Sequence, residues 1–144
     1  MTAPDRRLIF LLSVGQRRLQ RWTEKQLAER GLTAAQAGVL FWLGSHDGAL
    51  IGDVAAALDI VPSAMTGLID RMTSAGLVER RSDGSDGRAC RIHLTAAGRR
   101  LRKQAAARSE ALNAVLTEGF SDAEIATVSR WLASLQTKFP RDVT

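Results

Sequence analysis

A mainly α fold with one small β-hairpin wing, ordered α-α-β-α-α-β-β-α-α, is what this 144-residue sequence predicts. Three observations lead there. Apolar residues recur at i, i+3, i+4 and i+7 along much of the chain, the spacing that lines up side chains on one face of a helix. Two short runs, Leu77 to Arg80 and Cys90 to Leu94, alternate apolar with polar as half-buried strands do, and the turn-rich SDGSDG at 82–87 separates them. Helix stops and starts punctuate the rest: Gly31 before Thr33, Gly76 after Met72, and Ser121 three residues ahead of Glu124.

From the N-terminus, Asp5 to Arg30 is a long amphipathic helix with a stripe of Leu8, Leu11, Leu12, Gly15, Leu19, Trp22 and Gln26, mostly flanked by arginines. Gly31 caps its end, and Thr33 opens a helix from Ala34 to about Gly44 that turns Ala37, Leu40 and Phe41 or Trp42 inward. Ser45 to Gly48 is a turn, and its adjacent His46 and Asp47, with no nucleophile beside them, read as a solvated surface pair. Ala49 to Ile51 is a short strand. The helix Asp53 to Leu58 buries Val54, Ala55 and Leu58, and Asp59-Ile60-Val61 leads to a further helix starting at Pro62, whose missing N–H would be unpaired in a first turn anyway. Its Met65, Leu68, Ile69 and Met72 face a core, and Gly76 supplies the left-handed residue that ends it. After the hairpin, Thr95 is placed to cap a long helix to about Glu118 with Leu101, Ala105, Arg108, Leu112, Val115 and Leu116 on one stripe. An arginine there snorkels, pairs with a carboxylate across an interface, or meets an anionic ligand. The last helix begins at the Ser121 capping box, carries Ile125, Val128, Trp131 or Leu132, Leu135 and Phe139 as its apolar face, and ends at Pro140.

The face of the Pro62 helix opposite its apolar stripe carries Ser63, Thr66, Gly67, Asp70 and Ser74, with Arg71 at its edge. Small side chains let a backbone approach closely, and hydroxyls bond equally to phosphates and to base edges. Two helices joined by a turn and followed by a basic hairpin make a winged helix-turn-helix. On that reading Ser63 and Thr66 meet base edges or phosphates, Gly67 permits close approach, Arg71 and Arg80 hold phosphates, and Arg88 at the wing tip enters a narrow, A·T-rich minor groove. Asp70 serves a nearby arginine or backbone amide. The formal charge of +5 is uneven, with ten Lys or Arg against four Asp or Glu between residues 61 and 108. Much of that excess lies in Arg99, Arg100, Arg102, Lys103 and Arg108, where a solvated helix face explains it as well, so charge supports nucleic-acid binding without carrying it.

Taken together, Leu32-Thr33 with Gln36 ahead of Val39-Leu40, Val54-Ala55 and Leu58 followed by Pro62-Ser63, Thr66 with Leu68-Ile69-Asp70-Arg71, Gly76-Leu77-Val78-Glu79-Arg80, Asp86 with Arg88, and Leu94-Thr95 with Gly98 resemble the MarR-type winged-helix transcription regulators over roughly the middle half of the chain. One departure is Gly87, where that family very often has a second arginine. The resemblance implies a winged helix-turn-helix over residues 33–95 and a helical dimerisation region made of residues 1–32 and 96–144. It also implies that Asp86 orients Arg88 by a short charge-assisted bond, and that a repressor leaves its operator when a small molecule binds between the two regions. Leu12, Gln16, Leu19, Trp42 and Arg108 are the candidate effector lining, with an aromatic carboxylate or acyl thioester as the anionic class that the arginines around the first and fifth helices suggest.

The expected partners are therefore double-stranded DNA, a second copy of the chain, and a small-molecule effector. Two reading helices about 34 Å apart demand a near-palindromic operator. A winged helix serving only protein contacts, or a constitutive DNA binder without effector, is the competing reading. No nucleophile with a base, paired-carboxylate cleft or phosphate loop points to an enzyme, and no cofactor is expected. The two histidines give no metal-ligand spacing. Cys90, in phase with Ile92 and Leu94, reads as a small core residue and not as a redox sensor. A single cysteine and the lack of any apolar run of about 18 residues fit a cytoplasmic protein.

Overall fold

The computed structural model describes residues 3–82 and 90–140. Among them the order of elements is α1 Leu8–Ala28, α2 Ala34–Ser45, β1 Ala49–Leu50, α3 Ile51–Ala57, α4 Pro62–Ser74, β2 Val78–Ser82, β3 Cys90–Leu94, α5 Ala96–Thr117 and α6 Asp122–Lys138. This is the expected mainly α winged-helix order. The strands form one antiparallel sheet with β3 in the centre, Val78 opposite Leu94 and Ser82 opposite Cys90 on one side, and Ala49 opposite Ile92 on the other. The chain divides into two compact units, Met1–Ala106 and Ala107–Thr144, and the division falls within α5.

The core of the first unit gathers Val39, Leu40 and Leu43 of α2, Val54 and Ala55 of α3, Met65, Leu68, Ile69 and Met72 of α4, and Val78, Ile92 and Leu94 of the hairpin. The α4 stripe is therefore the one its periodicity predicts. In α2 the burial is broader than a single stripe: Val39 and Leu43 are fully buried alongside Leu40, while Phe41 and Trp42 are half-buried. That helix is packed by α1, α3, α4 and β3, so a reading that expects one wet face undercounts its core. Ile51 opens α3 and does not extend β1, because Leu50 takes the extended N-cap conformation and Asp53 sits in the first turn, where a carboxylate is favoured. The hairpin runs further than expected, with Ser82 still paired.

α1 buries none of its residues; Leu8, Leu11, Leu12, Leu19 and Trp22 stay 38–50% exposed and Ile9 86%. In the second unit, Ser121 accepts from the Glu124 N–H at 3.2 Å and Glu124 returns the bond to the Ser121 N–H at 2.8 Å, the expected capping box. α6 also buries no residue, and its Val128 and Leu132 are exposed.

Candidate nucleic-acid interface

The reading helix α4 starts where its sequence says it should. Val61 is extended, Pro62 occupies the first turn, and the Met65 N–H reaches the Val61 carbonyl at 3.0 Å. Its far end closes in a Schellman turn, with Leu77 N–H to Met72 O and Gly76 N–H to Thr73 O both at 3.0 Å, made possible by the left-handed φ of +73° at Gly76. With the stripe of Met65, Leu68, Ile69 and Met72 anchored, Ser63, Thr66 and Arg71 are exposed and Gly67 is half-buried.

Two side chains on this face are more specific than spacing reveals. The Thr66 hydroxyl donates to the Pro62 carbonyl at 3.1 Å, which commits its proton and leaves its oxygen as an acceptor. Arg71 folds back along the helix, its Nη1 3.6 Å from where a Cβ on Gly67 would stand. Gly67 thus leaves room for an approaching surface with the Arg71 guanidinium beside it. Arg80 of β2 pairs with Asp70 of α4 at 2.5 Å, so of the two partners open to Asp70, an arginine or a backbone amide, the arginine is the one present, and the fold identifies it as Arg80. Arg81 pairs with Glu79 along its own strand. Asp86 and Arg88 lie outside the described residues.

The mount behind the reading face is a joint built on Thr95. Its hydroxyl donates to the Gly76 carbonyl at 2.6 Å and accepts from the Gly98 N–H at 3.0 Å, while its own N–H reaches the Leu77 carbonyl at 3.1 Å. Gly98 is buried so close beneath that a Cβ there would stand 2.1 Å from the Leu77 carbonyl oxygen. One threonine and one glycine thus fix the start of α5 to the corner between α4 and β2.

Asp47 and His46 correct the surface-pair expectation. His46 stacks on Trp42 with ring centroids 4.2 Å apart, its Nδ1 3.1 Å from the Trp42 carbonyl oxygen. Asp47 instead reaches across the fold: it accepts the Leu94 N–H at 2.8 Å, and its other oxygen lies 3.2 Å from Arg99 and 3.4 Å from His93. Burial opposes its ionisation, but the Leu94 N–H, His93 and Arg99 outweigh burial and hold the carboxyl below the usual carboxylate value. A turn acid bonded to partners 46 and more residues away leaves no local signature; only its place just ahead of β1 could have hinted at it.

The candidate effector residues are placed as follows. Leu12, Gln16 and Leu19 share one side of α1, both leucines 38% exposed and Gln16 bonded to Gln20 at 2.9 Å. Trp42 packs partly against the core, and Arg108 falls in the second unit. Cys90 is half-buried on β3, in phase with the buried Ile92 and Leu94. No single helix among the described residues is long and apolar enough to cross a membrane.

A family model described as MarR family matches residues 30–89. The HTH-type transcriptional regulator YsmB of Bacillus subtilis strain 168, itself uncharacterised, is 33% identical over 115 residues, covering 80% of this chain and 79% of its own. The structure of CouR from Rhodococcus jostii RHA1 bound to p-coumaroyl-CoA is similar over the full length of both chains, with 32% identity and a TM-score of 0.82. A variant of MarR from E. coli, in complex with operator DNA, is 26% identical with a TM-score of 0.80, over 89% of this chain and 92% of its own.

Proposed function

The chain belongs to the MarR family of transcription regulators, which are not enzymes, and we propose that it works as a homodimeric repressor that leaves a near-palindromic operator when a small molecule binds. The observation that carries this reading is the exposed face of α4, where Ser63, the acceptor oxygen of Thr66, and Gly67 with the Arg71 guanidinium against it stand together. In the major groove, the hydroxyls address base edges or phosphates, Arg71, whose spacing alone suggests a phosphate contact, is turned toward Gly67 and so to base edges, and Arg80 shares its charge between Asp70 and a phosphate. Arg88, oriented by Asp86, enters the minor groove. Residues 33–95 act as the DNA-reading region, residues 1–32 and 96–144 as the helical dimerisation region, and the protein works in the cytoplasm.

Occlusion of a promoter by the bound dimer gives repression. An effector lodged near Leu12, Gln16, Leu19, Trp42 and Arg108 then needs only to favour a spacing of the reading helices that misfits the operator, and couplings of about 1–3 kcal/mol are typical of such devices. CouR, bound to p-coumaroyl-CoA, supports an aromatic acyl thioester as the effector class, with an aromatic carboxylate as its simpler analogue.

Fluorescence anisotropy of the purified protein on its own upstream intergenic DNA, against a scrambled duplex over a salt series, tests this. Operator binding at least about a hundredfold tighter than to the scramble is expected. Equal affinities that both vanish near physiological salt would reduce the interaction to counterion release and remove the reading. The same assay, run with aromatic acyl thioesters, is expected to report release.

A further inference from the structure

A second concentration of charge lies in the first unit, on α5 and not on α4. An open recess of about 330 Å³ is walled by Gly44 at the end of α2, Leu94 at the end of β3, and Arg99, Arg100, Arg102 and Lys103 on the first turns of α5. Four of these six residues are cations. Among the described residues, Asp47 is the carboxylate bonded to them, through Arg99 at 3.2 Å, and it is already engaged by the Leu94 N–H.

Arg102 is seated in a telling way. Its guanidinium lies over Gly44 in the space a side chain would fill, with Nε 1.9 Å and Cζ 2.1 Å from where a Cβ would stand. Packing and not a carboxylate holds it there, and its Nε is buried with no hydrogen-bond partner among the described residues. That atom is enclosed by the packing, so what Arg102 offers a ligand is its charge and the part of its side chain that walls the recess. Crowding like charges within one and a half helical turns is unfavourable until a counter-charge arrives.

We propose that this recess binds a phosphate-class polyanion, such as a diphosphate. One carboxylate would neutralise a single cation and satisfy one fork. A diphosphate carries several negative charges and presents acceptor oxygens in several directions, matching planar guanidinium forks and a lysine point charge together. The wall sets one apolar side chain, Leu94, beside the four cations, so charge is what the recess offers a ligand most. It shares no residue with the effector lining proposed above. The phosphate comes from a free phosphorylated metabolite or from a DNA backbone, and the two are separable by experiment.

Isothermal titration of the full chain with pyrophosphate at fixed ionic strength is the test. The variants are an Arg100→Ala/Lys103→Ala double, both positions being exposed, and Arg102→Met, which keeps an unbranched stem over Gly44 while removing the charge. Thermal unfolding of each checks that it folds. Saturable binding at one site per chain, weakened about tenfold or more in both folded variants, is expected. Absent saturation, or equal affinity in all three proteins, overturns the site. Duplex anisotropy then assigns the source. Variants that lose duplex affinity, with pyrophosphate competing in the wild type, point to the DNA backbone. Variants that keep duplex affinity but lose the response to pyrophosphate point to a free ligand.

Discussion

At the scale of single residues, Arg71 is the side chain whose placement most changes what its sequence position suggests. Spacing puts it at the edge of the reading face; the structure lays it back toward Gly67 and so over the middle of that face. Arg71→Ala is therefore expected to relax sequence preference at one or two operator positions, losing about 1–3 kcal/mol of discrimination there, as base-by-base substitution of the operator in anisotropy would measure. Loss that is uniform across sequences would make Arg71 a phosphate contact instead. Asp47 gives a prediction in pH. Its folded pKa lies below the usual 3.8, so its stabilising contribution is complete above that value and is lost as pH falls through the lower folded pKa. Urea unfolding is expected to find Asp47→Asn less stable than the wild type by about 1 kcal/mol at neutral pH, a modest figure because the group is one-third exposed, with the gap closing in acid below the usual carboxylate range.

At the scale of elements, α5 is set by a close approach to backbone at Gly98. Gly98→Ala would drive a methyl into the Leu77 carbonyl, which is backbone and cannot rotate away. A loss of about 1–3 kcal/mol in urea unfolding is expected, together with weaker operator binding, since the strain lands on the corner that ends α4. Local signals made most elements legible: the 3.6-residue rhythm of α4, the N-cap at Thr33, the capping box at Ser121, and the left-handed glycine at 76 each act within a few residues. What remained hidden depends on partners distant in sequence. Val39 and Leu43 are buried because several elements surround α2, Asp47 bonds Leu94, and Arg80 is drawn to Asp70 by the return of the hairpin beside the helix. Of the candidate interface, the α4 residues were readable from the sequence, whereas the direction of Arg71 and the Thr95 joint required the fold.

At the scale of the whole molecule, α1 leaves Leu8, Ile9, Phe10, Leu11, Leu12, Leu19 and Trp22 in water and α6 leaves Val128 and Leu132, contiguous apolar surface of the kind that marks an interface. Two-fold pairing covers such faces with their own copies. Sedimentation equilibrium is expected to give a dimer, and a Val128→Glu/Leu132→Glu variant a folded monomer with weakened operator binding; a wild type that stays monomeric at micromolar concentration would contradict this. Salt dependence reports the charged contacts collectively, and Arg88→Ala is expected to lower the slope of log affinity against log salt by about 1. The joint at Thr95 and Gly98 also governs how this regulator could be recombined with others. A graft that moves the reading helix and hairpin into a relative, cut after residue 95, would carry Thr95 but leave behind the glycine it bonds. A recipient helix with any side chain at that position would then collide with the transplanted Leu77 carbonyl. The transferable cassette therefore ends three residues later, at Gly98, and its natural seam lies inside a helix.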